Sequence, residues 1–236
     1  MELHVREWGQ GDRVAILLHG MMGSSESWWR VTPALVDRGY RVIAMDLPGH
    51  GHSPRDPSLT IERAASAVVA TAAARGCSAP ALAIGHSFGG LVLAAALPEL
   101  HPNHAVLVDA PTSSRGGWDR DEVRAEYEED RKARTIAGLI RTHPHYNEQD
   151  ARVEADAARL FDPDTASASA SAPGGSWPPP AGTIVIRAMP SSYVSDEAAA
   201  TMRSNGVIVH DLPGALHSVW YSHFDEFLAL IPSSQA

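Results

Sequence analysis

The sequence has little of what several classes of protein require. Cys77 is its one cysteine, so an internal disulfide framework is excluded, and we expect a reducing compartment, the cytoplasm. No apolar run is long enough to cross a bilayer, and residues 1–10 alternate charged and apolar side chains, unlike a signal peptide or an anchor. We therefore expect no membrane partner.

Clusters of lysine and arginine are also missing. The formal net charge of -9 argues against a nucleic-acid partner, because phosphate binding needs grouped basic side chains. The share of hydrophobic residues, 44%, with 20% charged residues, is that of a soluble globular protein. A chain of 236 residues can bury one large core, so residues 1–236 are expected to form a single domain.

Short apolar runs recur along the chain, and each ends at a turn-forming residue. They are "VAILLHG" (14–20), "RVIAMDLPG" (41–49), "ALAIGHS" (81–87), "HAVLVDAP" (104–111), "TIVIRAMP" (183–190) and "VIVHDLPG" (207–214). Unbroken apolar runs are typical of strands buried on both faces, and stretches of helical character separate them. The pattern predicts an α/β fold with a doubly wound, mostly parallel sheet. Residues 3–9, "LHVREWG", are expected to add an antiparallel edge strand.

One region breaks this alternation between strand and helix. Residues 117–170 are largely charged and helix-forming, and we expect a small helical cap inserted between the fourth and fifth of these strands, over the carboxyl edge of the sheet. Ordinary packing helices are the alternative. Residues 162–182 are rich in Ala, Ser, Pro and Gly, and this low-complexity composition predicts a loop.

Ser87 is the candidate nucleophile. It lies in the motif G-x-S-x-G, between Gly85 and Gly89, after a predicted strand and before a predicted helix. A sharp strand-to-helix turn is crowded, so it needs glycine on either side and holds the serine in a strained, exposed position. An ordinary tight turn is the alternative reading, and the flanking strand and helix favour the catalytic one.

His217 is the candidate base that would take the proton of Ser87. The sequence has twelve histidines, but His217 follows the last predicted strand and precedes a terminal amphipathic helix, where a loop can reach Ser87. His223 is expected inside that helix, and His86 is expected to point away from Ser87. Two further histidine pairs have i, i+2 spacing, and with no third ligand evident we expect no metal: His50 with His52, and His143 with His145.

The segment "LLHGMMGSS" (17–25) is the candidate oxyanion cradle. A flexible loop after a strand can turn the amide of Met21 toward the same point as the amide of Phe88, which opens the helix after Ser87. A plain turn after the strand is the alternative.

Four segments, "HGMMGSSESW", "DLPGHGHS", "GHSFGG" and "LPGALHSV", resemble in order and spacing the α/β-hydrolase superfamily, and especially its small esterase-like members with a helical cap. The resemblance covers nearly the whole chain and is weakest over 112–182. It implies Ser87 as nucleophile, His217 as base, and the amides of Met21 and Phe88 as oxyanion donors.

The triad acid departs from the pattern of most members, which carry it in a stretch resembling R-G-x-x-D. Here residues 187–192 read "RAMPSS", without a carboxylate. Asp109 follows the strand beside the one that delivers Ser87, and a subset of the family is similar in placing its acid there, with a serine at the usual position, as Ser191 would be. We expect Asp109 to be the acid. Asp196, at a helix start, is the alternative.

These residues predict a serine hydrolase that acts on a carboxylic ester, thioester or lactone of a small apolar molecule through an acyl-enzyme intermediate, without a cofactor. The alternatives are hydrolysis of a carbon–carbon bond in a diketone, and a non-hydrolytic cyclase or binding protein. The candidate substrate-binding residues are Met22, Trp28, Trp118 and Trp220.

Overall fold

A computed structural model describes residues 1–232, and a seven-stranded sheet lies at its centre. Its strands are β1 (Val5–Trp8), β2 (Val14–Leu18), β3 (Arg41–Met45), β4 (Leu82–His86), β5 (Ala105–Val108), β8 (Ile184–Met189) and β9 (Ile208–Pro213). The spatial order is β1-β3-β2-β4-β5-β8-β9. β1 pairs antiparallel with β3, and the other pairings are parallel, so the predicted mostly parallel sheet with an antiparallel edge strand is confirmed.

Helices cover both faces of the sheet and form most of the insertion. They are α1 (Val31–Asp37), α2 (Ile61–Ala74), α3 (Phe88–Leu100), α4 (Arg120–Ala133), α5 (Ile136–Thr142), α6 (Glu148–Leu160), α7 (Pro163–Ser171), α8 (Asp196–Ser204), α9 (Val219–Ser222) and α10 (Phe224–Leu230). None of the helices within residues 1–232 is both long and apolar enough to span a membrane.

The alternation of side chains along β2 builds two separate cores. Ile16 and Leu18 pack with α2 and α3 on one face, whereas Ala15 and Leu17 pack with α1 and α10 on the other. Every residue of β2 is buried, because both faces are covered. The unbroken apolar runs therefore have the physical cause that the sequence indicated.

The chain between β5 and β8 holds α4 to α7 and a two-stranded sheet, β6 (Ser113–Gly116) with β7 (Pro173–Ser176). The prediction of a loop for residues 162–182 is therefore wrong from 163 to 176, where α7 and β7 lie. Pro163 is at the start of α7, and the Asp162 side chain caps it by accepting a hydrogen bond from the Thr165 amide. The small Ala and Ser side chains that resembled a linker are buried instead, and α7 packs against α4.

The insertion is attached to the core at a buried ion pair. The side chain of Asp150, in the first turn of α6, is fully buried against Arg30, whose Nε donates to Asp150 Oδ1 at 2.9 Å. Trp29 Nε1 donates to the same oxygen at 3.2 Å, and the Asn147 amide donates to the other at 2.8 Å. Such a carboxylate is stable only while its partners remain.

A second attachment joins the end of α6 to the loop after β3. The Asp162 amide donates to the Gly49 carbonyl at 2.8 Å, and the ring of Phe161 lies against buried His50 with 4.9 Å between ring centroids. Burial lowers the pKa of His50 to about 3, so this ring is neutral in the folded protein.

We expect Asp150→Ala to lower the free energy of unfolding by about 3 kcal/mol, because the half-buried guanidinium of Arg30 loses its fully buried partner. Asp156→Ala is the matched control on the same helix, since Asp156 is exposed and its ion pair among residues 1–232 is with Arg159. Its effect should stay within about 0.5 kcal/mol. Urea unfolding measures both, and equal losses in the two variants would contradict the role of the Arg30 contact.

We expect acid to destabilise the protein partly through His50. The fold accommodates its neutral form, so this stability is complete above pH 6.5, its ordinary pKa, and falls as the pH drops toward about 3. At about pH 5 the loss from His50 should be about 2 kcal/mol. His50→Gln should remove that part of the difference in unfolding free energy between about pH 7.5 and about pH 5. Exposed His52 is the control, and the His52→Gln variant should lose as much unfolding free energy between these two pH values as the native protein does. If His50→Gln loses as much as the native protein, His50 is not the group responsible.

Candidate functional site

Ser87 lies on a strained turn between β4 and α3. Its backbone φ is +51°, a left-handed value that is costly for a residue other than glycine. The surrounding backbone enforces the turn: a Cβ at Gly85 would lie 2.5 Å from the Gly89 carbonyl oxygen, and one at Gly89 would overlap the carbonyls of Leu18 and His19. The two glycines are therefore required by close backbone packing.

His217 and Asp109 are joined by a hydrogen bond, with 2.8 Å between His217 Nδ1 and Asp109 Oδ2. Asp109 lies directly after β5 and is almost fully buried. Its other oxygen, Oδ1, accepts from the Ser191 hydroxyl at 2.6 Å and from the Ala188 amide at 3.3 Å. Because a carboxylate only accepts, Nδ1 of His217 carries the proton and Nε2 is left free to accept one.

The neighbours of Ser191 determine which group its hydroxyl donates to. The amides of Tyr193 and Val194 donate to Ser191 Oγ at 3.0 and 2.9 Å and occupy its acceptor capacity. The hydroxyl proton is therefore directed to Asp109. Sequence reasoning identified Ser191 only as the residue that replaces the usual acid, whereas the structure makes it a hydrogen-bond donor to Asp109.

Asp196 lies apart from His217. Its side chain is 87% exposed and pairs with Arg187, which is also 3.4 Å from Asp211. Of the two candidate acids, the structure brings Asp109 to His217 and leaves Asp196 at the start of α8.

The ring of His217 contacts two other rings. Tyr193 stacks on it with 4.0 Å between centroids, and His86 lies at 4.5 Å. His86 Nε2 also donates to the His217 carbonyl at 3.0 Å. Burial, with a contribution from nearby His217, lowers the pKa of His86 well below its ordinary value, so the ring is neutral, and the His217 carbonyl, which can only accept, selects the tautomer protonated on Nε2. The expectation that His86 points away from the site is wrong, and no sequence signal indicated Tyr193.

The loop after β2 lies against Ser87. A Cβ at Gly20 would be 2.7 Å from His86 Nδ1 and 3.2 Å from the Cβ of Ser87, so a side chain there would force His86 to move. His19 holds the loop: its Nε2 accepts from the Leu47 amide at 3.0 Å, which leaves Nδ1–H to donate to the Gly20 carbonyl at 2.8 Å. Burial lowers the pKa of His19 and so favours this neutral form.

A cavity of about 460 Å³ opens over Ser87 and His217. Of the candidate residues, Met21, Met22, Phe88 and Trp220 line it. Trp28 does not, because it is fully buried beneath Trp220, with the two rings stacked at 4.4 Å. Trp118 does not either, because it is 49% exposed and contacts the guanidinium of Arg115. Aromatic character alone did not show which side of the fold each tryptophan faces.

The insertion contributes a polar wall to the same cavity, which sequence reasoning missed. Its residues are Tyr127, Asp130, Arg134, His143, His145, Tyr146 and Glu154. They are spread over 28 positions of a charged segment, from 127 to 154, so no local motif marks them. Nowhere in residues 1–232 do three His, Cys, Asp or Glu side chains group as a metal ion would need.

Two curated relatives resemble parts of the chain. Lipase LipV of Mycobacterium tuberculosis is 34% identical over 144 residues, which is 53% of this chain and 54% of the lipase. A pimeloyl-(acyl-carrier protein) methyl ester esterase of Sodalis glossinidius is 37% identical over 113 residues, which is 48% of this chain and 42% of the esterase. The chain thus matches about half the length of these relatives or less.

Solved structures resemble nearly the whole fold. The esterase RhEst1 from Rhodococcus sp. ECU1013 superposes with a TM-score of 0.75 at 24% identity, covering 95% of this chain and 91% of that one. Est816, described as an N-acyl homoserine lactone degrading enzyme, gives 0.73 at 19% identity, covering 97% and 95%. At these identities the likeness shows the fold alone.

The family comparison extends over most of the sequence. Residues 15–230 match the alpha/beta hydrolase family, and this range includes the sheet from β2 onward except its first residue, the insertion, and α9 and α10. The chain therefore belongs to the alpha/beta hydrolase family.

Proposed function

We propose that the protein is a serine hydrolase that cleaves a carboxylic ester, thioester or lactone of a small molecule. One observation supports this most strongly: Ser87, on its strained turn, and His217, oriented by Asp109, line the same cavity. An ordinary turn requires neither a buried carboxylate nor a histidine that this carboxylate orients. Curated relatives named as a lipase and as a methyl ester esterase support the same reaction class.

In the proposed reaction, Ser87 Oγ attacks the substrate carbonyl carbon while His217 Nε2 takes the hydroxyl proton. Asp109 accepts from His217 Nδ1, keeps the proton on that nitrogen and stabilises the imidazolium. The backbone amides of Met21 and Phe88 donate to the oxyanion. His217 then gives its proton to the leaving group, and the carbonyl re-forms as an acyl ester on Ser87.

Water completes the proposed cycle. His217 Nε2 removes a proton from a water molecule as its oxygen attacks the acyl carbon, and the second tetrahedral intermediate collapses to release the carboxylic acid and the Ser87 hydroxyl. Each step uses groups of this chain and water alone.

We also propose that the insertion, residues 117–170, acts as a cap that selects substrates, because its side chains form one wall of the cavity. A cytoplasmic location, which fits the single cysteine, is part of this proposal.

Hydrolysis of a carbon–carbon bond is the second candidate. A 2-hydroxy-6-oxononadienedioate/2-hydroxy-6-oxononatrienedioate hydrolase of Escherichia coli is 41% identical over 56 residues. This match covers 22% of the chain, so it supports the second candidate less than the longer esterase and lipase matches support the first.

We expect Ser87→Ala to lower kcat on p-nitrophenyl acetate by several orders of magnitude, because the attacking oxygen is removed. The native protein should be labelled by a fluorophosphonate at Ser87, and the variant should not be labelled. Exposed Ser204 is the control residue, and Ser204→Ala should retain both activity and labelling. Unchanged turnover in a folded Ser87→Ala protein, checked by circular dichroism, would refute the proposed reaction.

We expect Asp109→Asn and Asp196→Asn to separate the two candidate acids. An amide at position 109 can stabilise the wrong tautomer of His217, and the comparable change in serine proteases costs about 10⁴ in turnover. Asp196→Asn removes an exposed contact with Arg187, so turnover should stay within about twofold. Both variants are assayed on p-nitrophenyl acetate beside the native protein. A deep loss at Asp196 with Asp109→Asn near native would reverse the assignment.

A further inference from the structure

The orientation of the His217 ring decides whether its Nε2 faces Ser87 in the proposed reaction. His217 lies in the loop between β9 and α9, and its side chain is 33% exposed. The hydrogen bond from Nδ1 to Asp109 Oδ2 fixes one atom of the ring. One hydrogen bond tolerates a wide range of angles, so it leaves the ring free to tilt about that contact. A second contact is needed to set the plane of the imidazole.

The ring of Tyr193 makes that second contact. Its centroid lies 4.0 Å from the centroid of His217, and the two ring planes differ by 21°, so the rings are stacked nearly parallel. The ring of His86, at 4.5 Å, is tilted by 49° relative to His217 and does not match its plane. Tyr193 therefore limits how far the imidazole can tilt.

The backbone of Tyr193 is held by the same carboxylate that binds His217. The Tyr193 amide donates to Ser191 Oγ at 3.0 Å, and the amide of Val194 donates to the same oxygen at 2.9 Å. The Ser191 hydroxyl donates to Asp109 Oδ1 at 2.6 Å. The side chain of Val194 is buried in the core that contains α2 and α3. These contacts form a closed circuit that begins at Asp109 and returns to it through His217.

The ring of Tyr193 is uncharged at neutral pH. Burial raises the pKa of Tyr193, and the nearby carboxylate of Asp109 raises it further. The face of an aromatic ring attracts a cation, and in the proposed reaction His217 is a cation only after it has taken a proton. The stacked ring thus stabilises the imidazolium of the transition state more than the neutral imidazole of the resting enzyme. A difference of this kind raises kcat.

We propose that Tyr193 is a positioning residue for His217: its ring sets the plane of the imidazole and stabilises the imidazolium, and Ser191 holds Tyr193 in place. This inference rests on the proposed hydrolase function and adds a residue to it. The stacking uses the ring face of Tyr193 and not its hydroxyl. Substrate binding is the competing role, because Tyr193 also lines the cavity.

Two substitutions separate the ring of Tyr193 from its hydroxyl. Tyr193→Phe keeps the stacked ring, so kcat on p-nitrophenyl acetate should stay within about twofold of the native value. Tyr193→Leu keeps an apolar side chain without an aromatic face, and kcat should fall about fivefold. KM should change by less than about twofold in both variants, because the lost interaction is made in the transition state.

Ile208→Ala is the matched control. Ile208 and Tyr193 are both 47% exposed, but Ile208 is the first residue of β9, at the end away from His217, and does not line the cavity. This variant should keep the native kcat and KM. Melting curves check that each variant is folded.

Two further measurements test whether the effect of Tyr193 passes through His217. Diisopropyl fluorophosphate reacts with Ser87 through the same proton transfer, so Tyr193→Leu should slow this labelling by about fivefold as well. In a His217→Ala background, Tyr193→Leu should cause no further loss of the residual kcat, because the ring on which Tyr193 acts is gone.

The outcomes separate the two proposals. If the native protein hydrolyses p-nitrophenyl acetate and Tyr193→Leu retains its kcat, the positioning role is overturned and the hydrolase function stands. Three results would assign Tyr193 to substrate binding instead: a raised KM with unchanged kcat, an equal loss in Tyr193→Phe, or a further loss in the His217→Ala background. If the native protein hydrolyses no ester and Ser87 is not labelled, the hydrolase function fails, and the positioning role fails with it.

Discussion

The carboxylate of Asp109 is the point on which the geometry of the site depends. It follows β5, accepts from Ala188 and Ser191 at the end of β8, and holds His217 in the loop after β9. One buried charge thus fixes three neighbouring segments at the same edge of the sheet. A charge so buried is tolerable only with several donors, and three are present. The backbone φ of +42° at Asp109 is the strain that this position carries.

Much of the fold could be predicted because its causes are local. Unbroken apolar runs mark strands covered on both faces, and glycines 85 and 89 mark a turn in which backbones touch. The pairing of Asp109 with His217 could also be predicted, because the carboxyl ends of parallel strands meet at one edge of the sheet. By contrast, α7 was misread as a loop: its alanines and serines have the composition of a linker, and only packing against α4 makes the same small residues a buried helix.

The rest of the site could not be predicted because it depends on tertiary packing. Trp28 and Trp220 are stacked, yet only Trp220 reaches the cavity. Tyr193 contacts His217 through a turn that Ser191 holds, and neither the turn nor the stacking has a local signature. The polar wall comes from a charged segment in which most side chains are exposed, and sequence reasoning cannot tell which few of them turn inward.

Several of the contacts that hold the site together are made by neutral histidines. His19, His50 and His86 are each buried, and burial lowers the pKa of each below its ordinary value. A neutral imidazole has one donor and one acceptor, so at His19 it joins the Leu47 amide to the Gly20 carbonyl without a buried charge. His217 differs, because the carboxylate of Asp109 faces its Nδ1. Burial therefore opposes a proton on the other three rings, whereas at His217 the contact of Nδ1 with Asp109 leaves Nε2 to take the proton of Ser87 in the proposed reaction.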